Sequence, residues 1–286
     1  MLIWRKLRIT LEMIRFEHTV FALPFALIGA LLASGGLPGW RRLIWIVCAM
    51  VGARSAAMAF NRIADLRFDR RNPRTRERAL VKGTLTIQFA VLFTAVMSAL
   101  FVFSAWALNP LCFYLSFPTL GVLFLYSYTK RFTALSHVVL GFAIGSAPLA
   151  AWLAIRGEFA WAPVLLSGAV MFWIAGFDVI YALQDQDFDR KNNLFSLPAR
   201  IGIAASLQVS TLFHVLTVAL LAATAVVTKS GPIAFAGIAI VAALLFWEHR
   251  IVKPNDLSRI NVAFFKMNGY ISILLLASFA TDILIR

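Results

Sequence analysis

The sequence predicts an all-α polytopic membrane protein of about nine transmembrane helices with its N-terminus in the cytoplasm. Three observations carry that prediction. Hydrophobic residues make up 61% of the 286 positions and charged residues only 14%, where a soluble domain carries about a quarter. The apolar residues gather in runs that reach the ~20 residues a helix needs to cross a bilayer. The bases gather between the runs, and chiefly in alternate connections. Backbone inside lipid must satisfy its own hydrogen bonds, which leaves helices or a closed barrel. The chain has no ten-residue segments of alternating hydrophobicity to favour the barrel.

Taken in order, the first run covers about residues 17–34. Arg5, Lys6 and Arg8 precede it and it ends near ALLAS, the layout of a signal peptide. Pro24 interrupts it and further spans follow, so it reads as an uncleaved first helix. The second, at about 43–64, follows the breaker GGLPGWRR. The third, 88–107, follows a basic segment at 62–82, and Asn109-Pro110 separates it from the fourth, 110–127. The fifth, 135–154, stops before Arg156-Gly157-Glu158, and the sixth covers 162–184. The seventh, 205–228, ends at KSGP; the eighth, 232–248, ends before KPND; the ninth is 263–284. The whole of 1–286 reads as one membrane-embedded domain.

With the N-terminus inside, 20 of the 27 bases fall on the cytoplasmic side, five on the other, and Arg54 and Lys266 within spans. That asymmetry sets the orientation, in a membrane expected to be the bacterial cytoplasmic (inner) membrane. The net charge of +14 therefore reads as topology and anionic-ligand contact, not as nucleic-acid binding. Cys48 and Cys112 both fall inside apolar runs and read as core thiols.

One frame, D-x-x-F-D-R-[R/K]-N, occurs at 65–72 and again at 185–192, at the cytoplasmic ends of spans 2 and 6. On continuous helices Asn61, Asp65 and Asp69 share a face, and so do Asp178, Tyr181, Asp185 and Asp189; Arg54 lies two turns before Asn61. Carboxylates at helix C-termini are misplaced for simple stability. Asp178 lies deeper, where an ionisable group is a functional candidate by default. Paired aspartates suit hard divalent cations: Mg²⁺ takes oxygen ligands and bridges carboxylates to substrate phosphates. Neighbouring guanidinium and ammonium groups take the remaining phosphate oxygens. The plainer alternative, acids paired with arginines in a solvated loop, accounts less well for two near-identical motifs backed by Asp178 and Tyr181.

These residues resemble the UbiA-type membrane prenyltransferases, in particular the branch similar to 4-hydroxybenzoate polyprenyltransferases. The first family motif, N-x-x-x-D-x-x-x-D followed by R-T and R-x-L, is matched by Asn61, Asp65, Asp69, Arg74-Thr75 and Arg78-Ala79-Leu80, with Ala79 where the family usually has proline. The second, D-x-x-Y-x-x-x-D-x-x-x-D, is matched by Asp178, Tyr181, Asp185 and Asp189. YSYTKRFTALSHVVLG at 126–141 matches the family's basic loop, which carries Lys130 and Arg131. The resemblance implies a prenyl transfer. A polyprenyl diphosphate is held through two Mg²⁺ by Asn61, Asp65, Asp69, Asp185 and Asp189, with Arg74 and Arg78 at the phosphates and Tyr181 near the allyl cation. An aromatic acid accepts the prenyl group, its carboxylate met by Arg54, Lys130 or Arg131. NNLFSLPARIG at 192–202 and the start of the chain resemble a subgroup whose acceptor is 4-hydroxybenzoate, for ubiquinone or menaquinone synthesis, or 1,4-dihydroxy-6-naphthoate; sequence leaves both open.

Other polar positions carry simpler readings. Arg54 binds a ligand anion or pairs with Asp178. His18 is an interfacial side chain or a proton carrier. His137, His214 and His249 are not expected to cluster, so no histidine metal site is assigned. Lys266 and Asn268 are polar glue or snorkel. Glu17, Glu77 and Asp256 are solvated, and Asp187 is a third carboxylate near the metal or an outward one. The rival class is a transporter with Arg54, Asp178 and Lys266 along a solute path; concentration of the acids at one membrane face speaks against it.

Overall fold

A computed structural model of the chain describes residues 2–15 and 19–286. Among the described residues helices are the only regular secondary structure, apart from one isolated bridge between Lys253 and Asp256. Eight helical stretches are long and apolar enough to cross a membrane: Trp40–Ala64, Ile87–Leu108, Pro110–Thr129, Ser136–Arg156, Trp161–Lys191, Leu197–Val227, Pro232–Ile251 and Val262–Ile285. The remaining expected span is the shorter helix α2, Thr19–Ser34, with Pro24 inside it. Many of the large apolar side chains point outward, Phe103, Trp106, Phe117 and Phe246 among them, as helices immersed in lipid require.

The chain divides into two packed units. One comprises residues 1–19 and 44–128. It contains α1 (Leu2–Met13), most of α3 (Trp40–Ala64), the one-turn α4 (Leu66–Asp69), α5 (Ile87–Leu108) and nearly all of α6 (Pro110–Thr129). Helix α1 was not expected. Its end is tied down where Met13 and Ile14 pack with Ala59, Leu80, Leu85 and Ala90, and where buried Arg62 donates from Nε to the Met13 carbonyl at 3.2 Å.

The other unit comprises residues 20–43 and 129–286. It holds α7 (Ser136–Gly145), α8 (Ala147–Arg156), α9 (Trp161–Ala182), α10 (Gln186–Lys191), α11 (Leu197–Val227), α12 (Pro232–Ile251) and α13 (Asn268–Ile285). Helix α9 is buried nearly all round, with α7 and α11 against it. Gly141 and Gly145 lie one turn apart on α7, where a Cβ on either would strike the Met171 backbone; small residues at this spacing let helix backbones close together. Phe25 and Trp173 (ring centroids 5.0 Å apart) and Phe177 and Phe264 (5.3 Å) fill the core around them. Buried hydroxyls such as Thr217 and Thr224 return their protons to carbonyls one turn back, at 2.9 and 2.8 Å.

Regular helix is interrupted at defined places. Pro148, which lacks an N–H, is the second residue of α8, just after the break at Ser146. The stretch Val262–Met267 is π-helical, and the fully buried Asn268 donates to the carbonyls of Ala263 (3.3 Å) and Phe264 (3.0 Å). Lys266, in the same stretch, turns out to the surface. Asp282 is buried on α13 and accepts from the N–H groups of Gly231 (2.8 Å) and Ala234 (3.4 Å), satisfying the start of α12.

Gly202 breaks α11 with φ 81° and ψ 172°, a conformation reserved in practice for glycine. No heavy atom would approach a Cβ there within 4 Å, so the backbone alone sets the cost of a side chain. Gly202→Ala should destabilise the protein by about 1–3 kcal/mol, seen as a lower thermal midpoint in detergent; an unchanged midpoint would contradict the assigned conformation.

Candidate functional site

The first motif sits where α3 ends. Asp65 breaks the helix (φ −89°, ψ 1°) and begins α4, so the continuous helical face expected for Asn61, Asp65 and Asp69 is interrupted. Bonds across it keep helical spacing, Asp65 N–H to the Asn61 carbonyl at 2.9 Å and Asp69 N–H to that of Asp65 at 2.8 Å, while Phe68 N–H tightens the turn by sharing the Asp65 carbonyl at 2.9 Å. The half-buried Asn61 donates from Nδ2 to Asp65 Oδ2 at 3.0 Å and to Ser127 Oγ at 3.5 Å. Asp69 is buried, and Arg78 reaches both of its oxygens from one nitrogen, at 2.7 and 2.6 Å.

The segment after α4 has no long helix but is fastened along its length. Asn72 Oδ1 accepts from Arg74 N–H at 2.9 Å, and the Thr75 hydroxyl donates to the Asp69 carbonyl at 3.3 Å. Leu80 and Leu85 anchor its far end in the core. Arg74 is exposed at this surface and Arg54 is half-buried within α3. Glu77 pairs with Lys82, whose hydrogen bond and charge hold its carboxyl below the usual range. Asp256, in the loop before the last span, is likewise held low by hydrogen bonds from the Ser258 hydroxyl and N–H. Both acids are exposed, in line with the solvated reading of each.

The second motif is again a broken helix. Helix α9 passes through a 3₁₀ turn, Leu183–Asp185, into α10. A uniform helical face across Asp178, Tyr181, Asp185 and Asp189 is therefore replaced by a tighter bend. Asp185 and Asp189 are buried, at 7% and 0% exposure, whereas Asp187 points out to the surface. Lys130 Nζ lies 2.8 Å from Asp189 Oδ2. The Lys130 carbonyl accepts from Phe195 N–H at 2.7 Å, so the loops carrying Lys130 and Asn193 are joined. Gln186 and Arg190 donate to the carbonyls of Pro198 and Ala199, each at 3.0 Å. Arg131 is half-buried beside Lys130. Tyr181 stacks on Phe264 with centroids 4.1 Å apart.

Asp178 meets a partner that sequence reasoning missed. His137 Nδ1 lies 2.6 Å from Asp178 Oδ2, and Leu197 N–H approaches His137 Nε2 at 3.4 Å. A backbone N–H only donates, so Nε2 is the accepting nitrogen and Nδ1 carries the proton that it gives to Asp178. Forty-one residues separate the two, and only the packing of α7 on α9 brings them together. The expectation that the histidines stay apart also needs correction. His214 Nδ1 and His249 Nε2 are 2.9 Å apart across α11 and α12, with Thr211 Oγ1 3.3 Å from His249 Nδ1. Registry of the two helix faces produces this pair, which no sequence spacing announces. Glu17 and His18 lie outside the described residues.

Each motif taken by itself offers hard oxygen donors, Asp65, Asp69 and the Asn61 amide oxygen in the first and Asp185 and Asp189 in the second, a chemistry suited to Mg²⁺ and not to the softer transition metals. Among the described residues no three such side chains stand close enough together to form a metal cluster.

Comparison with known proteins agrees with this chemistry. Residues 22–270 match the model of the UbiA prenyltransferase family. A 4-hydroxybenzoate octaprenyltransferase from Aromatoleum aromaticum is 32% identical over 249 residues, 86% of this chain and 83% of that protein. One from Pseudomonas aeruginosa is 32% identical over 79% of this chain and 76% of that one. Among solved structures, an apo UbiA homologue from Aeropyrum pernix K1 is 35% identical, covers 94% of this chain and 98% of its own, and superposes with a TM-score of 0.85. A UbiA homologue from Archaeoglobus fulgidus, bound to DMAPP and Mg²⁺, shares the fold at 20% identity, 96% and 98% coverage and a TM-score of 0.73. The transporter reading is set aside: the chain belongs to the UbiA prenyltransferase family and is an integral membrane prenyltransferase.

Proposed function

We propose that the protein transfers a polyprenyl group from an allylic diphosphate to the ring of an aromatic acid, with 4-hydroxybenzoate the first candidate acceptor. The observation that carries this reading is the repeated construction of the two motifs. Each breaks a membrane helix, buries an aspartate one turn past the break and sets a cation against it, Arg78 on Asp69 and Lys130 on Asp189. The names of the relatives, and the DMAPP and Mg²⁺ bound by the Archaeoglobus fulgidus homologue, support it. The whole chain acts as a single prenyltransferase domain in the bacterial cytoplasmic membrane, with both motifs facing the cytoplasm, as the distribution of bases favours.

In this mechanism Asn61, Asp65 and Asp69 of the first motif and Asp185 and Asp189 of the second would hold two Mg²⁺, which would supply positive charge to offset the negative charge growing on the departing diphosphate. Arg74, Arg78, Lys130 and Arg131 donate to phosphate oxygens. Arg54 meets the acceptor's carboxylate. Tyr181, held by Phe264, presents an aromatic ring to the allylic carbon as positive charge develops. Asp178 accepts a hydrogen bond from the acceptor's hydroxyl through Oδ1, since Oδ2 is engaged by His137. The allylic C–O bond breaks with its electron pair leaving on diphosphate, the ring-to-prenyl C–C bond forms, and the ring proton passes to the released diphosphate or to water. Apolar helices keep water from the cation.

The test is a prenylation assay on purified protein in liposomes with geranyl diphosphate, Mg²⁺ or EDTA, and 4-hydroxybenzoate beside 1,4-dihydroxy-6-naphthoate, read by product mass. Product from 4-hydroxybenzoate alone, lost with EDTA, is expected. Product from the naphthoate alone would transfer the same chemistry to the other acceptor, and none from either, in protein that binds the diphosphate, would sink both. Asp65→Ala and Asp185→Ala should each lower kcat by about 10²–10³-fold; wild-type rates at equal expression would remove that residue from the site. His137→Ala should raise the acceptor KM or lower kcat by about tenfold while the donor KM stays fixed. His137→Gln, which keeps an N–H donor, should recover part of the loss. A fall in thermal midpoint with normal kinetics would make His137 a packing residue only.

A further inference from the structure

A second polar feature of the basic segment lies outside the machinery described above. Arg67, Arg70 and Arg71 follow at i, i+3 and i+4 through α4 and the turn after it. Arg70 N–H bonds to the Leu66 carbonyl at 3.2 Å and Arg71 N–H to the Phe68 carbonyl at 3.0 Å, so the turn remains helical and the three side chains share one side. All three are exposed. They line a cavity of about 510 Å³ whose other walls include Ile63, Leu66 and Ile87, a size within the range of small-ligand sites.

Two properties of this cavity point to a ligand. The first is uncompensated charge. The same turn holds two acids, but Asp69 is buried against Arg78 and Asp65 is bonded by Asn61. Among the described residues no carboxylate forms an ion pair with Arg67, Arg70 or Arg71. Three like charges on one helical turn repel each other, and a single anion between them relieves that repulsion. The second is the depth of the cavity. Ile63 and Leu66 flank the end of the span Trp40–Ala64, and Ile87 is the first residue of the span Ile87–Leu108. Ile87 is 44% exposed beside the guanidinium groups. Cations thus sit where two spans leave the hydrocarbon, with apolar surface running from them towards the membrane.

A free phosphate would answer the charge and leave the apolar wall wet. A lipid answers both, its phosphate among the guanidiniums and the start of its acyl chains over Ile63, Leu66 and Ile87. We propose that this cavity is a binding site for an anionic glycerophospholipid, recognised by its headgroup phosphate and chain together. Basic pockets at the ends of membrane helices are suited to such headgroups, and arginine supplies the paired donors that phosphate oxygens take. The proposal is independent of the prenyl-transfer reading, because it uses neither the aspartates nor Arg74 and Arg78.

Native mass spectrometry of the full chain, released from a neutral detergent with equal added phosphatidylglycerol and phosphatidylcholine, tests it. The wild type should retain phosphatidylglycerol at least about tenfold over phosphatidylcholine. The triple variant Arg67→Gln, Arg70→Gln, Arg71→Gln should lose that preference. A control that removes three charges elsewhere, Arg250→Gln, Lys253→Gln and Arg259→Gln, should keep it. If the triple variant does not fold, Arg70→Gln alone should reduce the preference measurably. Equal retention of both lipids by the wild type, or an undiminished preference in the arginine variants, overturns the site. Glycerol phosphate competing as well as the lipid would show a free-phosphate site and overturn the lipid assignment. Displacement of the lipid by inorganic pyrophosphate would make the cavity part of the diphosphate site and overturn its independence.

Discussion

Backbone hydrogen bonding in lipid is the constraint on which the rest of this structure depends. A helix in the hydrocarbon satisfies itself, and any departure from regular helix must find other partners for the groups it frees. Four interruptions here come with such partners. Asn268 takes up carbonyls of the π-helical stretch, Asp282 takes up the N–H groups that open α12, and tight turns close the breaks at Asp65 and at Leu183–Asp185. The two breaks that carry the motif carboxylates fall near span ends, where water and polar side chains are within reach and irregular backbone is tolerated.

Burial of the carboxylates follows from the same logic. An unpaired ionised aspartate in such surroundings is costly, and here Asp69 has Arg78, Asp189 has Lys130 and Asp178 has His137. Pairings of this kind orient the acids ahead of any ligand. His137 contributes one thing more. With Leu197 N–H on its other nitrogen, its proton is directed to Asp178, so a neutral imidazole suffices to fix the carboxylate.

The fold was legible because a bilayer imposes length and apolarity on every span. All nine expected runs coincide with helices, to within about eight residues at the ends. The breaks were less legible. Pro148 and Gly202 are visible as residues, but nothing local distinguishes a glycine at φ 81° from one within a helix, and the short α1 lacks a long apolar run. The motif aspartates stood out by their repetition. Their partners did not, because Lys130 and His137 are far from Asp189 and Asp178 in sequence and only helix packing joins them. The pairing of His214 with His249 escaped for the same reason. The uniform faces drawn through both motifs assumed regular helix where the chain tightens instead.

The segment after α4 shows what fastening without regular structure achieves. Residues 70–85 contain six bases and a single acid, a composition that alone would favour an open, self-repelling loop. Asp69, Asn72 and Thr75 hold its near end, and Leu80 and Leu85 hold its far end in the core. Its backbone entropy is therefore surrendered when the protein folds and not when a ligand arrives. An anion that docks on Arg74 or Arg78 needs to order little more than side chains, and affinity gained by such preorganisation does not have to come from additional contacts.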